Sequence, residues 1–299
     1  NGLVGSLRKE IAVLNEQLEK ATRLQDSSNK HLHRLHQAQK LASEIRTSGS
    51  QEQLVRRFLD ILGRFITFGQ SAFYILRDDQ LVKLHPAEDG TAIEQAVELH
   101  WDEGIVQWVL EENRALVVEN LQDTAAGEPD TGFLVAPLVA SGNPLGFFFA
   151  ESARKEQEYS WDELEIAQFL AGQAADTLYA ILLNTEIQAT QEYLESIIQN
   201  TEDLIVTYNR EGLIDFVNRA AENLGYKADA LKGKTIGELL DGDQDLSAFE
   251  DVPEKSASLD VRVKTGYGST RQAMCTITAH RNARGEIQGS LSIFRDMTE

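Results

Sequence analysis

Three histidines, His31, His33 and His36, lie close enough along the chain to raise metal binding as the first question. Ligands on one helix face stand three or four positions apart, so His33 and His36 approach each other while His31 points elsewhere. No carboxylate or cysteine completes a closed ligand set, and the trio reads as solvated polar positions with no metal. Cys275 is the single cysteine, which excludes an intrachain disulfide and fits a reducing compartment. It alternates with Ala273, Ile277 and Ala279 on one face of a strand, against Thr276, Thr278 and His280 on the other. That pattern reads as a small buried hydrophobe rather than a reactive thiol. Trp101, Trp108 and Phe147 to Phe149 either line a cavity or fill a core, and core is the commoner use of such residues.

Machinery for phosphoryl transfer is missing from the sequence. There is no Gly-x-x-x-x-Gly-Lys-Ser/Thr loop to cradle phosphates. Nor does a phosphoacceptor histidine stand beside an acidic residue on a pairing helix, with a glycine-rich nucleotide site behind it. The chain therefore reads as non-catalytic, with any enzymatic output expected beyond Glu299.

The elements that hold these residues need a long frame. At 299 residues there is room for about two ordinary domains and additional helices. With 48 acidic against 28 basic residues, the formal charge of -20 disfavours nucleic acid and anionic membrane as partners, because both call for basic side chains. No apolar run approaches the roughly 18 residues of a spanning helix, so a cytoplasmic setting is expected. The start at Asn1-Gly2 reads as an excised fragment or a cloning scar, which leaves an upstream anchor open.

Val4, Leu7, Ile11, Leu14, Leu18 and Ala21 alternate spacings of three and four, and Leu32, Leu35 and Ala42 continue the phase. Gln25, Ser28 and Gln39 weaken the middle of this seam. So narrow a stripe pairs economically with a second copy, which predicts a parallel homodimer, the alternative being a helix folded back on the next domain. A wider apolar face begins at Leu54 and runs to Ile66. Strands are expected at Ser71 to Arg77, Leu81 to His85, Ala115 to Val118, Gly132 to Val139 and Leu145 to Glu151, with a helix over Gly104 to Asn113.

Ser160-Trp161-Asp162-Glu163 has capping-box spacing and opens a long helix through Asn200. Its seam runs Ala171, Ala174, Leu178 and Ile181, then shifts to Leu183, Ile187, Thr190, Leu194 and Ile197, a stutter. A second domain follows, with a hairpin at Leu204 to Val217, a helix ended by Gly225, and three strands over Leu259 to Lys264, Arg271 to Arg281 and Ile287 to Arg295.

Gln51 to about Thr185 resembles a GAF domain. The strings are Glu103-Gly104-Ile105-Val106 through Val118, Val135-Ala136-Pro137-Leu138 with its Gly142 turn, and Leu170-Ala171-Gly172-Gln173 on the long helix. Tyr193 to Glu299 resembles a PAS domain through Asp203-Leu204-Ile205-Val206, Gly212 to Ala221, Leu224-Gly225-Tyr226 and the closing Asp296-Met297-Thr298. The resemblance implies an α+β chain of two antiparallel-sheet sensor domains, joined and preceded by long coiled-coil helices. Expected boundaries are a dimerisation coil over 1–50, a GAF-like domain over 51–185, a connecting helix over 186–200 and a PAS-like domain over 201–299.

It further implies a sensory and relay segment of the kind found upstream of histidine kinases, diguanylate cyclases or transcription activators; a dimeric adaptor without a small-molecule ligand is the rival. Leu7, Ile11, Leu14, Leu18, Leu32, Leu35, Leu178, Ile181, Leu194 and Ile197 are the expected dimer seam, and Arg295, Asp296 and Thr298 the output motif. The flavin Asn-Cys-Arg string, a bilin cysteine, a mid-domain haem histidine and the cyclic-nucleotide pattern are not recognisable, so no cofactor is named and an unidentified small ligand stays open.

Overall fold

Strands β1 (Ser71–Arg77), β2 (Gln80–His85), β3 (Leu116–Glu119), β4 (Gly132–Ala140) and β5 (Asn143–Ser152) form an antiparallel sheet in the order β2-β1-β5-β4-β3. Its central strands are apolar on both faces because both are covered. Phe148 and Ala150 point to one core and Phe147 and Phe149 to the other, as the two-residue period of a strand requires. The first face packs against α1 (28–46), α2 (Gln51–Leu62) and the N-terminal part of α5 (Trp161–Asn200). The second packs against α3 (Ala92–Asp102) and α4 (Ile105–Glu112). Ser141 and Gly142 take left-handed backbone angles in the β4-β5 turn, the conformation a tight hairpin needs.

This computed structural model describes residues 20, 22, 25, 28–77, 80–85, 92–120, 132–152, 154, 158–242, 256–282 and 284–297. Val4, Leu7, Ile11, Leu14, Leu18 and Ala21 of the expected first seam, and Thr298 of the output motif, lie outside them. The chain divides into two compact units, residues 1–185 and 186–299.

Over 28–46, within the dimerisation coil expected for 1–50, helix α1 packs inside its own unit. Ala38, Ala42 and Ile45 are buried in the first unit's own core, and Leu35 packs against it, while Leu32 stays exposed. The reason is size. Ala38 and Ala42 share that core with Ala167, Ala171, Ala174 and Ala175 of α5, and small side chains let helices approach closely enough to close a core within one chain. Polar contacts fix the pairing: Arg34 bonds Asp162, and Arg46 donates to Gln173 Oε1 at 3.1 Å.

Leu178 is corrected on the same ground. It is 0% exposed, in the first unit's core, so its three-and-four spacing serves packing inside the chain. Ile181 is partly buried against the same cluster.

In the second unit β6 (Leu204–Asn209), β7 (Ile214–Val217), β8 (Ala257–Lys264), β9 (Thr270–Arg281) and β10 (Ile287–Asp296) form a sheet in the order β7-β6-β10-β9-β8. A 3-10 turn at Arg219–Leu224, helix α6 (Ala228–Leu231) and a second 3-10 turn at Ile236–Leu239 cover one face. Gly225 ends the first of these with φ 81°, a left-handed angle that glycine adopts without strain.

Candidate functional site

Helix α5 is the element that both units share, and each holds it by specific polar contacts. At its start, Glu163 accepts from the Ser160 amide at 3.0 Å and from the Ser160 hydroxyl at 2.9 Å, the reciprocal half of the expected capping box. Arg154 grips the same carboxylate through both terminal nitrogens, at 3.2 and 3.3 Å. Burial pushes the Glu163 carboxyl up, but the Ser160 amide, Arg154 and the Ser160 hydroxyl outweigh it and hold the group below its ordinary value. One turn on, Gln168 accepts from the Ala115 amide at 2.6 Å and donates to Asn113 Oδ1 at 3.1 Å, tying α5 to the start of β3.

Past residue 182 the helix leaves that core, and Tyr179 already faces out of it. Tyr179, Leu183, Ile187, Tyr193, Leu194, Ile197 and Ile198 are each exposed by more than a third, Leu194 by 52%. Leu183, Ile187, Leu194 and Ile197 follow one heptad phase, so they lie along a single stripe. Helix α5 is also the one described helix long and apolar enough to cross a membrane by length and composition. Eight of its residues from Ile166 to Leu178 are instead taken up by protein core.

The second unit receives the helix through Asn218, which is fully buried. Its amide nitrogen donates to Ile198 O at 3.0 Å and Asp203 O at 2.9 Å, and its Oδ1 accepts from the Ile205 amide at 2.9 Å. The last carbonyls of a helix have no partner within it, so Asn218 supplies one across the chain. Thr201 and Asn200 side chains serve Ile197 O at 2.8 Å and Ser196 O at 2.9 Å, and Gln199 Oε1 accepts from the Arg219 amide at 2.8 Å.

The output end of the sheet meets this junction. Asp203 pairs with Arg295 at 3.4 Å, and Arg271 with Asp296 at 2.9 Å. Exposed pairs of this type stabilise by about 0–1 kcal/mol, so they are weak as supports and easily exchanged. An open cavity of about 260 Å³ lies at the same place, between Glu202, Leu204, Asn223, Arg271, Phe294 and Asp296 among others. The structure thus brings Arg295 and Asp296 beside Glu202 and Asp203, just past the end of α5, a relationship the local strings did not announce.

Other candidates fall elsewhere. His31 rests against Trp161, with Nε2 3.3 Å from Glu165, and His33 sits beside Gln37. No group of three His, Cys, Asp or Glu able to hold a metal occurs among the described residues. Cys275 is buried, and burial pushes its thiol up to about 12. Phe147 to Phe149 are fully buried in the two cores, while Trp108 is half exposed.

Residues 48–178 match the model of the GAF domain, and residues 202–299 match that of the PAS domain. The chain carries a GAF domain followed by a PAS domain. Both are sensory, non-catalytic domains, and the two sheets with their helices have the matching α+β folds. No curated protein matches. Among solved structures, the PAS domain of an HTR-like protein from Haloarcula marismortui is 25% identical, covering 38% of this chain and 97% of that one with a TM-score of 0.34. The E. coli DhaR(N)-DhaL complex is 17% identical over 86% of this chain and 90% of that one, at 0.40. The PAS domain of nitrogen regulation protein NR(II) from Vibrio parahaemolyticus is 19% identical over 34% and 96%, at 0.30.

Two residues of the GAF and PAS domains escaped the sequence reading. Helix α3 of the GAF domain was not expected, although Ile93, Ala96, Val97 and His100 recur at helical spacing. His100 breaks the apolar pattern yet is buried, with ring nitrogens 2.7 Å from Ala96 O and 2.9 Å from Glu119 O. In the PAS domain Asn218 had only its place in a string, and its role depends on a helix end twenty residues away.

Proposed function

We propose that this segment is the sensory and relay part of a larger signalling protein, working as a parallel homodimer. The observation that carries the reading is the meeting of input and output at Asp203: its carbonyl is bonded by the Asn218 clasp on α5, and its carboxylate pairs with Arg295 of the output strand. A shift of α5 at a paired interface therefore changes the setting of Asp203 and, through it, of the end of β10. Leu183, Ile187, Leu194 and Ile197 are the seam, and a second copy is the occupant their heptad phase fits, since like stripes meet in register. Leu32, exposed on α1, extends the pairing on the input side. The effector is a histidine kinase domain, the setting is cytoplasmic, and the input is a small ligand or an upstream conformational change.

The register shift near Leu183 is where α5 passes from its own unit's core to the exposed stripe, and a change of phase there resets the helix at the seam. Ala180→Leu with Thr190→Leu writes one uninterrupted phase from 180 to 197. In a chain that includes the effector domain, this variant is expected to hold output at one level whatever the input. A response to input equal to that of the parent would overturn the relay.

A further inference from the structure

Trp161, Leu164, Glu165 and Gln168 recur at spacings of three and four, so they share one stripe at the start of α5. With Arg114 and Ala115, which lead into β3, they line an open slot of about 170 Å³ on the surface of the GAF unit. Its floor is apolar: Ala115 is buried in the core and Leu164 packs against it, while the Trp161 indole is 68% exposed. An indole left in water at the wall of a slot forgoes the burial that a ligand would supply. The charged groups of the slot are held from behind. Gln168 accepts from the Ala115 amide at 2.6 Å and donates to Asn113 Oδ1 at 3.1 Å, so both neighbours of Arg114 are tied to α5. Across the slot, His31 of α1 sets Nε2 3.3 Å from Glu165 Oε2, which is buried, and its ring 5.8 Å from the Trp161 indole. The Glu165 side chain is still 39% exposed, which leaves its other oxygen to the slot. Arg114 is exposed and pairs with no carboxylate among the described residues.

The geometry points to a binding site for a free α-amino acid with an aliphatic side chain. Arg114 takes its carboxylate, Glu165 its ammonium, and Trp161, Leu164 and Ala115 its side chain. A cation and an anion line one short slot without pairing with each other, so the ligand that satisfies both carries both charges close together. A peptide terminus, a simple acid or a simple amine brings one charge only and leaves the other against an apolar wall. Size limits the rest. The slot is smaller than the roughly 300 Å³ at which drug-sized pockets begin, which suits one small aliphatic body and not a nucleotide. A molecule bound there touches α5 and the segment entering β3 at once, with α1 fixing the Glu165 carboxylate through His31. The assignment rests on the sensory reading for its consequence and names the chemistry of the input.

L-Leucine serves as the probe, against leucinamide, which lacks the carboxylate, 4-methylpentanoate, which lacks the ammonium, and glycine, which lacks the side chain. With the 299-residue chain, leucine is expected to shift the Trp161 indole N–H signal saturably, that signal being assigned by its loss in Trp161→Phe. The three controls each bind at least about tenfold more weakly, the loss of one contact. Arg114→Gln and Glu165→Gln each weaken leucine by about tenfold. In Arg114→Gln, leucinamide also binds as well as leucine, a loss of discrimination that general loosening of the fold would not produce. The inference is overturned by the absence of a saturable shift, by glycine matching leucine, or by leucine affinity unchanged in both variants. It is equally overturned if leucinamide matches leucine on the parent chain, which would make the slot a dock for a peptide N-terminus, or if 4-methylpentanoate does, which would make it one for a C-terminus. None of these readouts depends on self-association, so their failure leaves the dimeric relay to its own test.

Discussion

The side-chain amide of Asn218 donates to the carbonyl of Ile198 at 3.0 Å, closing the last turn of α5 from the residue that follows β7. That bond and its two companions join the helix to Asp203 and Ile205, and thereby to the strand beside β10. A relay needs such a joint. A flexible tether would absorb a helix shift, whereas a buried carboxamide with every polar atom engaged transmits it.

Asn218→Ala leaves the Ile205 amide and two carbonyls without this partner. The expected loss in the unfolding free energy of the PAS unit is about 1–3 kcal/mol, measured by urea titration. A change within about 0.5 kcal/mol, as at ordinary surface sites, would mean that solvent already serves these groups.

Leu178 and Leu194 separate core from seam. Leu178→Ala cuts a fully buried side chain from the GAF core and is expected to cost about 2–5 kcal/mol of that unit's stability. Leu194→Ala, at an exposed position, is expected to leave the unfolding of each unit unchanged and to raise the dimer dissociation constant in sedimentation equilibrium. Equal destabilisation by both would contradict the assignment of the two roles.

Acid should loosen the start of α5. Burial pushes Asp162 and Glu163 up, but for Asp162 the Ser160 side chain and Arg34, and for Glu163 the Ser160 amide and Arg154, hold the folded values below the ordinary ones. A depressed folded pKa gives stability that is present above the unfolded value, about 4, and is lost as pH falls through the folded one. Urea midpoints of the GAF unit should therefore drop between about pH 5 and pH 3. Glu163→Gln is expected to lower the midpoint at neutral pH and to shrink that drop; an unchanged drop would remove Glu163 from the explanation.

Alkali tests the PAS core with the opposite sign. Burial raises the Cys275 thiol from 9.0 to about 12. A raised folded pKa gives stability that is complete below the unfolded value and is lost as pH rises toward the folded one. PAS-unit stability should fall above about pH 9, less so in Cys275→Ala. At pH 8 a disulfide thiol reagent should label Cys275 only at the rate of unfolding; immediate labelling would contradict its burial.

Much of the fold was legible because period and turn chemistry are local. Glu163 accepted from the Ser160 amide as the capping-box spacing implied, though the Ser160 hydroxyl donates to Glu163 rather than capping an amide, and Ser141-Gly142 turned the β4-β5 hairpin. Leu178 was misread because spacings of three and four serve a two-chain seam and a one-chain core equally. The alanines at 38, 42, 167, 171, 174 and 175 held the missing signal, since a stripe of small residues on two helices marks a close approach. Asn218 was illegible for another reason: a polar residue declares its role only through partners, and those of Asn218 lie on other elements.

Self-association through α5 is the claim on which the relay stands, and a cross-link tests it directly. In a Cys275→Ala background the chain has no other cysteine, so Ile197→Cys reports only its own copy in a partner chain. A parallel seam brings equal positions within disulfide reach, whereas Glu192→Cys, on the opposite helix face, stays apart. The account predicts a reducible dimer for Ile197→Cys under mild oxidation at micromolar concentration, and single chains for Glu192→Cys. Single chains for both, or equal cross-linking of both, would contradict it.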